Sequence, residues 1–223
     1  MCGRFTLHHR PEQIAEQFSV DKVAVEFPPR YNIAPTQPVA VIFQHGERYL
    51  EAFRWGLIPF WSKDAKIGSR MINARAETVA DKPAYRAPFK HRRCLIPSSG
   101  FYEWKKEGKE KTPTYIRLAD ERPFAMAGLW EEWTSPEDEI IHTCTIITTQ
   151  ANDFMSTIHH RMPVIFTPEQ EEAWLDSTLE NPAEITPLLQ PYAGEMAAHP
   201  VSKQVNVAAY DGPDCIEPAV ISP

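Results

Sequence analysis

Short apolar runs bounded by turn residues, rather than long amphipathic stretches, dominate the chain. Residues 39–43 (VAVIF), 115–118, 124–129 (FAMAGL), 143–148 (TCTIIT) and 163–166 read as strands, several of them apolar enough for burial on both faces. Residues 48–55 supply a hairpin partner for 39–43, turning at His45-Gly46. Helical spacing is confined to a few places. Residues 11–18 (PEQIAEQF) put a proline in the first turn and Ile14, Ala15 and Phe18 on one face. At Thr167 a helix start is spelled out: an N-cap, then proline, then Gln170 at the third position, with Trp174 and Leu175 as the face to be buried. This pattern predicts an α+β fold, a single domain over 1–223, dominated by mixed and mainly antiparallel β-sheet, barrel-like, with short flanking helices. Residues 105–111 (KKEGKEK) read as a charged hairpin tip around Gly108, a solvated loop.

Composition narrows the function classes. No stretch approaches the ~20 consecutive apolar residues that span a bilayer, and Arg4, Arg10, Glu12 and Glu16 stand where a signal peptide needs an apolar run. A cytoplasmic protein is expected, nucleoid-associated if bacterial, with no membrane partner. The four cysteines, at 2, 94, 144 and 215, form no C-x-x-C pair, so no metal site, disulfide framework or cofactor is expected. A net charge of −7 argues at first against nucleic acid. The average conceals a division: residues 1–122 hold 21 of the 23 Lys and Arg with 14 of the 30 acids, whereas 123–223 hold 2 with 16. A basic face on an acidic protein is therefore open.

The chain begins Met-Cys-Gly-Arg, and methionine before a small residue is commonly removed. Cys2 would then carry a free α-amine with pKa ~8 beside a thiol at ~8.5, both easier to deprotonate than a lysine at ~10.4. The amine can condense with an aldehyde, and the thiol can close on the imine carbon to give a five-membered thiazolidine. Gly3 leaves room for a ligand at the terminus. A second-position cysteine taken alone is more often just a small buried residue.

Three further segments set polar groups among apolar ones. Residues 71–78 (MINARAET) hold Asn73, Arg75 and Glu77; 100–105 (GFYEWK) place Glu103 between Tyr102 and Trp104; 156–163 (STIHHRMP) present His159, His160 and Arg161. Burial of Glu103 would raise its carboxyl pKa toward neutrality and suit it to proton transfer. Each also has a plain explanation: Asn73 as a turn former, Glu103 as a salt-bridge partner of Lys105, His159 as a satisfied core histidine.

Together the motifs form an ordered set. M-C-G-R at the N-terminus, Y-N-I-A-P at 31–35, W-G-L-I-P-x-W at 55–61, I-N-A-R-A-E-T at 72–78, C-L-I-P-x-x-G-F-Y-E-W at 94–104, I-H-x-R-M-P at 158–163 and H-P-V-S at 199–202 resemble the signature of the SRAP family, the abasic-site processing proteins. The resemblance implies that Cys2, exposed by loss of Met1, links to C1′ of an abasic deoxyribose in single-stranded DNA through a thiazolidine. It further implies Asn73, Glu103 and His159 as catalytic partners, with His160 in the variable position. His159 would open the closed sugar by proton transfer, Glu103 would move protons at the amine, thiol and departing water, and Asn73 would orient by hydrogen bonds. Arg4, Arg75 and Arg161 are candidate phosphate clamps. Phe60, Trp61 and Trp104 offer aromatic faces; the resemblance makes the Trp61 region a wedge at the duplex end and puts Pro35 and Trp104 near the extrahelical nucleotide. The expected partner is single-stranded DNA with abasic sites, including single/double-strand junctions, bound by a monomer. Self-removal of Met1 and lyase turnover are further implied activities. The rivals are an N-terminal nucleophile cysteine hydrolase and a non-covalent DNA sensor in which Cys2 is incidental.

Overall fold

The computed structural model describes residues 2–219. Thirteen strands and five short α-helices follow in chain order: β1 (Phe5–Leu7), α1 (Pro11–Gln17), β2 (Lys22–Val23), β3 (Arg30–Ile33), β4 (Pro38–His45), β5 (Glu47–Trp55), β6 (Asn73–Arg75), α2 (Arg86–His91), β7 (Arg93–Ser98), β8 (Gly100–Glu107), β9 (Glu110–Leu118), β10 (Phe124–Thr134), β11 (Ile140–Gln150), α3 (Asp153–Ser156), β12 (Arg161–Pro163), α4 (Pro168–Leu175), α5 (Pro182–Ile185) and β13 (Met196–Pro200). Four 3₁₀ turns, at Ala65–Arg70, Thr186–Leu188, Lys203–Asn206 and Pro213–Ile216, complete the described elements.

A closed ring lies at the centre. Antiparallel pairings run β11–β10–β7–β4–β5, and β5 returns to β11 in parallel with Thr143 opposite Arg54 and Cys144 opposite Trp55. Closure removes the exposed edges an open sheet would present. The short strand β6 adds to β11 in parallel and β12 adds to it antiparallel, Gln150 opposite Arg161. A second sheet, in the order β13–β9–β8–β1–β3, lies alongside and shares one core with the ring. Strand β7 and the first half of β10 are buried on both faces, as their continuous apolar runs require.

The sequence reading locates most of these elements. Gly46 turns the β4–β5 hairpin at φ +73° and Gly108 turns β8–β9 at φ +61°, a conformation that favours glycine. Helix α4 starts with the expected capping box, Thr167 and Gln170 bonding reciprocally to backbone N–H groups, and buries Trp174 and Leu175. One strand is displaced: the ladder to β11 is at Arg161–Pro163, while residues 164–166 are buried and bond to β10 and β11 through the backbone of Val164 and Phe166, with an isolated bridge from Ile165 to Met126. Apolar content marks burial there, whereas the ladder depends on where the chain meets the end of β11.

The C-terminal segment is clamped across β3. Asn32 is fully buried, and its amide donates to the carbonyls of Val205, Val207 and Tyr210 at 3.1, 3.1 and 2.6 Å. Asp211 accepts from the backbone of Tyr31 and Asn32 at 2.5 and 2.6 Å and from the Arg30 side chain. The Y-N-I-A-P motif thus builds scaffold through its asparagine.

Candidate active site

Strand β1 and the residues before it bring Cys2 to the seam between the two sheets. There the side-chain amide of Asn73 donates to the Cys2 carbonyl at 2.8 Å. Asn73 is held at that point by β6, whose pairing sets it opposite Ile146 of β11. Its Oδ1 is buried and accepts no hydrogen bond from any described residue. An acceptor in that state is costly unless something donates to it, which makes it a receptor for an amine or a hydroxyl.

Cys2 is fully buried in the intact chain. Burial, reinforced by the nearby Glu103 carboxylate, drives its thiol far above the ordinary value, so a thiolate is not the resting form. Glu103 sits on β8 opposite Thr114 and is 4% exposed. Burial raises its carboxyl pKa above the ordinary carboxylate value. Lys105 is not its partner: although the alternation of β8 puts Lys105 on the same face as Glu103, its ammonium pairs with Glu107 at 2.8 Å. His159 lies in the turn between α3 and β12, where Nδ1 stands 3.0 Å from the Arg161 backbone nitrogen and 3.2 Å from the Arg161 carbonyl oxygen, so the tautomer sets which of the two it bonds. Burial lowers its pKa. The ring of His160 stacks on it at 4.3 Å and 27°, and the neighbouring imidazole holds the pKa of His160 down as well.

Glu103 and His159 face one cleft of about 890 Å³, walled by Trp104, Lys106, Lys111 and Asn206 on one side and by the turn 156–160 on the other. The four candidate catalytic side chains therefore share one neighbourhood, drawn from both sheets. The arrangement brings together a buried thiol, an elevated carboxyl, an imidazole and a side-chain amide. Among the described residues no group of three or more His, Cys, Asp or Glu is placed to hold a metal.

The candidate DNA contacts divide. Arg75 is exposed and shares a face of β6 with Asn73, two positions or about 6.6 Å along the strand. Phe60 and Trp61 are 63% and 53% exposed, so neither is a core aromatic. They are presented by a tightly closed loop: Gly56 (φ +127°) has the backbone of Gly68 where a Cβ would stand, at 2.5 Å, and the Trp55 indole donates to the Ile72 carbonyl at 2.9 Å. Pro35 is half-buried in a turn whose next residue, Thr36, adopts φ +71° and donates to the Trp55 carbonyl at 2.8 Å. Trp104 is half-buried, its indole donating to Asn206 Oδ1 at 2.8 Å. Arg4 and Arg161 are engaged within the protein. Arg4 donates to Asn32 Oδ1 at 2.7 Å and to the carbonyls of Val205 and Asn206 at 2.6 and 3.2 Å. Arg161 pairs with Glu77 at 3.0 Å and donates to the Thr148 carbonyl at 2.6 Å. Lys106, Lys111 and Asn206 line the cleft without having been singled out from the sequence; the alternation around Gly108 was the available signal for the lysines.

Comparison with known proteins bears on this site. The family described as SOS response associated peptidase (SRAP) matches residues 1–208. The chain is 48% identical over 222 residues to the abasic site processing protein YoqW of Bacillus subtilis, covering 97% of this chain and 99% of that one. It is 35% identical over 223 residues to the abasic site processing protein HMCES of Gallus gallus, covering 85% and 66%. A crystal structure of a protein from Bacteroides thetaiotaomicron superposes with a TM-score of 0.89 at 31% identity, covering 98% of this chain and all of that one.

Proposed function

Because the chain belongs to the SRAP family, whose relatives are named abasic site processing proteins, we propose that it processes abasic sites in single-stranded DNA by covalent capture at Cys2. The observation that carries the reading is the Asn73 amide holding the Cys2 carbonyl at the seam from which Glu103 faces the cleft.

Loss of Met1 frees the Cys2 amine. His159, kept neutral at pH 7, passes a proton as the hemiacetal opens to the aldehyde. The amine nitrogen adds to C1′ while its surplus proton passes through Glu103 to the former carbonyl oxygen, and Glu103 then protonates the resulting hydroxyl as the C1′–O bond breaks and takes the remaining N–H proton. An imine and one water result. Sγ then adds to C1′ of the imine, its proton passing to the nitrogen, and the thiazolidine closes with no further loss. The buried thiol suits this order, since the amine starts the reaction and the sulfur acts only once the electrophile lies beside it. Asn73 fixes the terminus through Nδ2 and offers Oδ1 to the amine or a sugar hydroxyl. Arg75 meets an adjacent phosphate, and Phe60 and Trp61 meet bases at the end of a duplex. Removal of Met1 by the same groups and strand cleavage after imine formation are finer activities of this reading.

Denaturing gels with a single strand carrying one abasic site test it. Wild type is expected to give a stable adduct, Cys2→Ala none, and Cys2→Ser only an imine that survives after borohydride reduction. A full adduct yield from Cys2→Ala would defeat the proposal.

A further inference from the structure

The tip of the β8–β9 hairpin, residues 105–111, carries six charged residues, Lys105, Lys106, Glu107, Lys109, Glu110 and Lys111, and the fold sorts them. Lys106 stands opposite Lys111, and Trp104 opposite Pro113, so Trp104, Lys106 and Lys111 share one face of the hairpin. Lys105 and Glu107 lie on the other and neutralise one another at 2.8 Å. The cleft wall takes in Glu103, Trp104, Lys106 and Lys111 and neither acid of the tip. Like charges directly opposite on a ladder repel. Lys106 and Lys111 are both exposed and form no ion pair with any described residue.

The base of this arm is fixed. Trp104 is tied through its indole to Asn206, and Asn206 belongs to the segment clamped by Arg4 and Asn32. The two arginines beside the catalytic motifs that have internal partners, Arg4 and Arg161, spend their donors on protein acceptors. Positive charge available on this wall of the cleft therefore comes from the hairpin.

The geometry points to Lys106 and Lys111 as a phosphate clamp that holds the DNA strand leaving the captured sugar along the Trp104 wall. This rests on the reading of the site as one that takes single-stranded abasic DNA. The clamp is electrostatic and indifferent to sequence, and Trp104 at its foot supplies a ring for the adjoining base.

The test measures equilibrium binding of a single strand carrying the unreactive tetrahydrofuran analogue of the abasic site, as a function of salt. Each lysine–phosphate contact contributes about 0.7 to the log–log salt slope on single strands. Lys106→Gln/Lys111→Gln should lower the slope by about 1.4 and weaken binding by about 25-fold at 0.1 M salt. Lys106→Arg/Lys111→Arg should keep the wild-type slope. Lys22→Gln/Lys105→Gln removes the same charge from positions already paired with Glu47 and Glu107 and should leave it unchanged. An unaltered slope in the Lys106/Lys111 glutamine variant, or an equal loss in the Lys22/Lys105 control, overturns the clamp. Wild-type protein that captures a reactive abasic strand in the same preparation keeps the underlying reading in place whichever way the slopes fall; wild type that neither binds nor captures overturns both.

Discussion

The bond from Asn73 to the Cys2 carbonyl gives a prediction whose size follows from the structure. Asn73→Ala removes one hydrogen bond of 2.8 Å, worth about 0.5–1.5 kcal/mol net. If that bond only holds the terminus in place, capture slows by about 3- to 10-fold, since 1.36 kcal/mol is a decade in rate. The buried Oδ1, which no described residue satisfies, adds a second loss when it accepts a hydrogen bond from the amine or the sugar in the transition state. The two together give about a 100-fold decrease. Unfolding should register only the first, a Tm decrease of about 2–4 °C for a domain of this size. Single-turnover adduct formation followed on denaturing gels, beside thermal unfolding of the same preparation, separates the two contributions. Asn73→Asp should be slower still than Asn73→Ala, because a carboxylate would face the Cys2 carbonyl that the amide now holds. An Asn73→Ala protein that melts lower yet captures abasic DNA within twofold of the wild-type rate would refute the reasoning, and Asn73 would be scaffold alone.

Other outcomes follow from neighbouring groups. Arg4→Ala loses donors to Asn32, Val205 and Asn206 and should cost about 2–3 kcal/mol of stability in denaturant titrations without DNA; an unchanged midpoint would return Arg4 to a purely DNA-facing role. Phe60→Ala/Trp61→Ala alters two exposed rings and should keep the melting temperature while weakening binding to a single/double-strand junction more than to a plain single strand, measured by fluorescence anisotropy. Equal weakening on both would remove the wedge. Glu171, buried in the first turn of α4, has its pKa raised to about 7 by burial. The folded state keeps a proton that the unfolded chain has already lost above its ordinary value, so this group's contribution is full at low pH and disappears as pH rises through 7. Glu171→Gln should therefore flatten the stability profile between pH 4.5 and 7 and exceed wild type at pH 8 by about 2 kcal/mol after allowance for partial solvation. Parallel profiles for the two proteins would dismiss the assignment.

Local chemistry explains why much of the fold could be read in advance. The hairpins at Gly46 and Gly108 and the cap at Thr167 are written in adjacent residues, and the doubly buried strands are written in unbroken apolar runs. The return of β5 to β11 in parallel joins residues about ninety positions apart, and no local pattern encodes it. The same limit governs the site. Cys2, Asn73, Glu103 and His159 stand out by residue type and motif, yet their meeting depends on β6 adding to β11 and β1 adding to β8. The arginines show the limit most plainly. Arg4, Arg75 and Arg161 look alike beside their motifs, but only Arg75 points to solvent without a hydrogen bond to a described residue, since Asn32 and Glu77 take the other two. The lysine tip read as a solvated loop, because its charges separate only when the strand alternation is laid against a cleft that other elements build.

The central claim is a covalent bond between Cys2 and an abasic sugar, and intact mass spectrometry after incubation with a glycosylase-treated, uracil-containing single strand tests it most directly. The account predicts a protein lacking Met1 and, in denaturant, a species whose mass is protein plus oligonucleotide less one water, absent from Cys2→Ala. A protein that retains Met1 and forms no such species, or an adduct of the same mass that persists in Cys2→Ala, would contradict it.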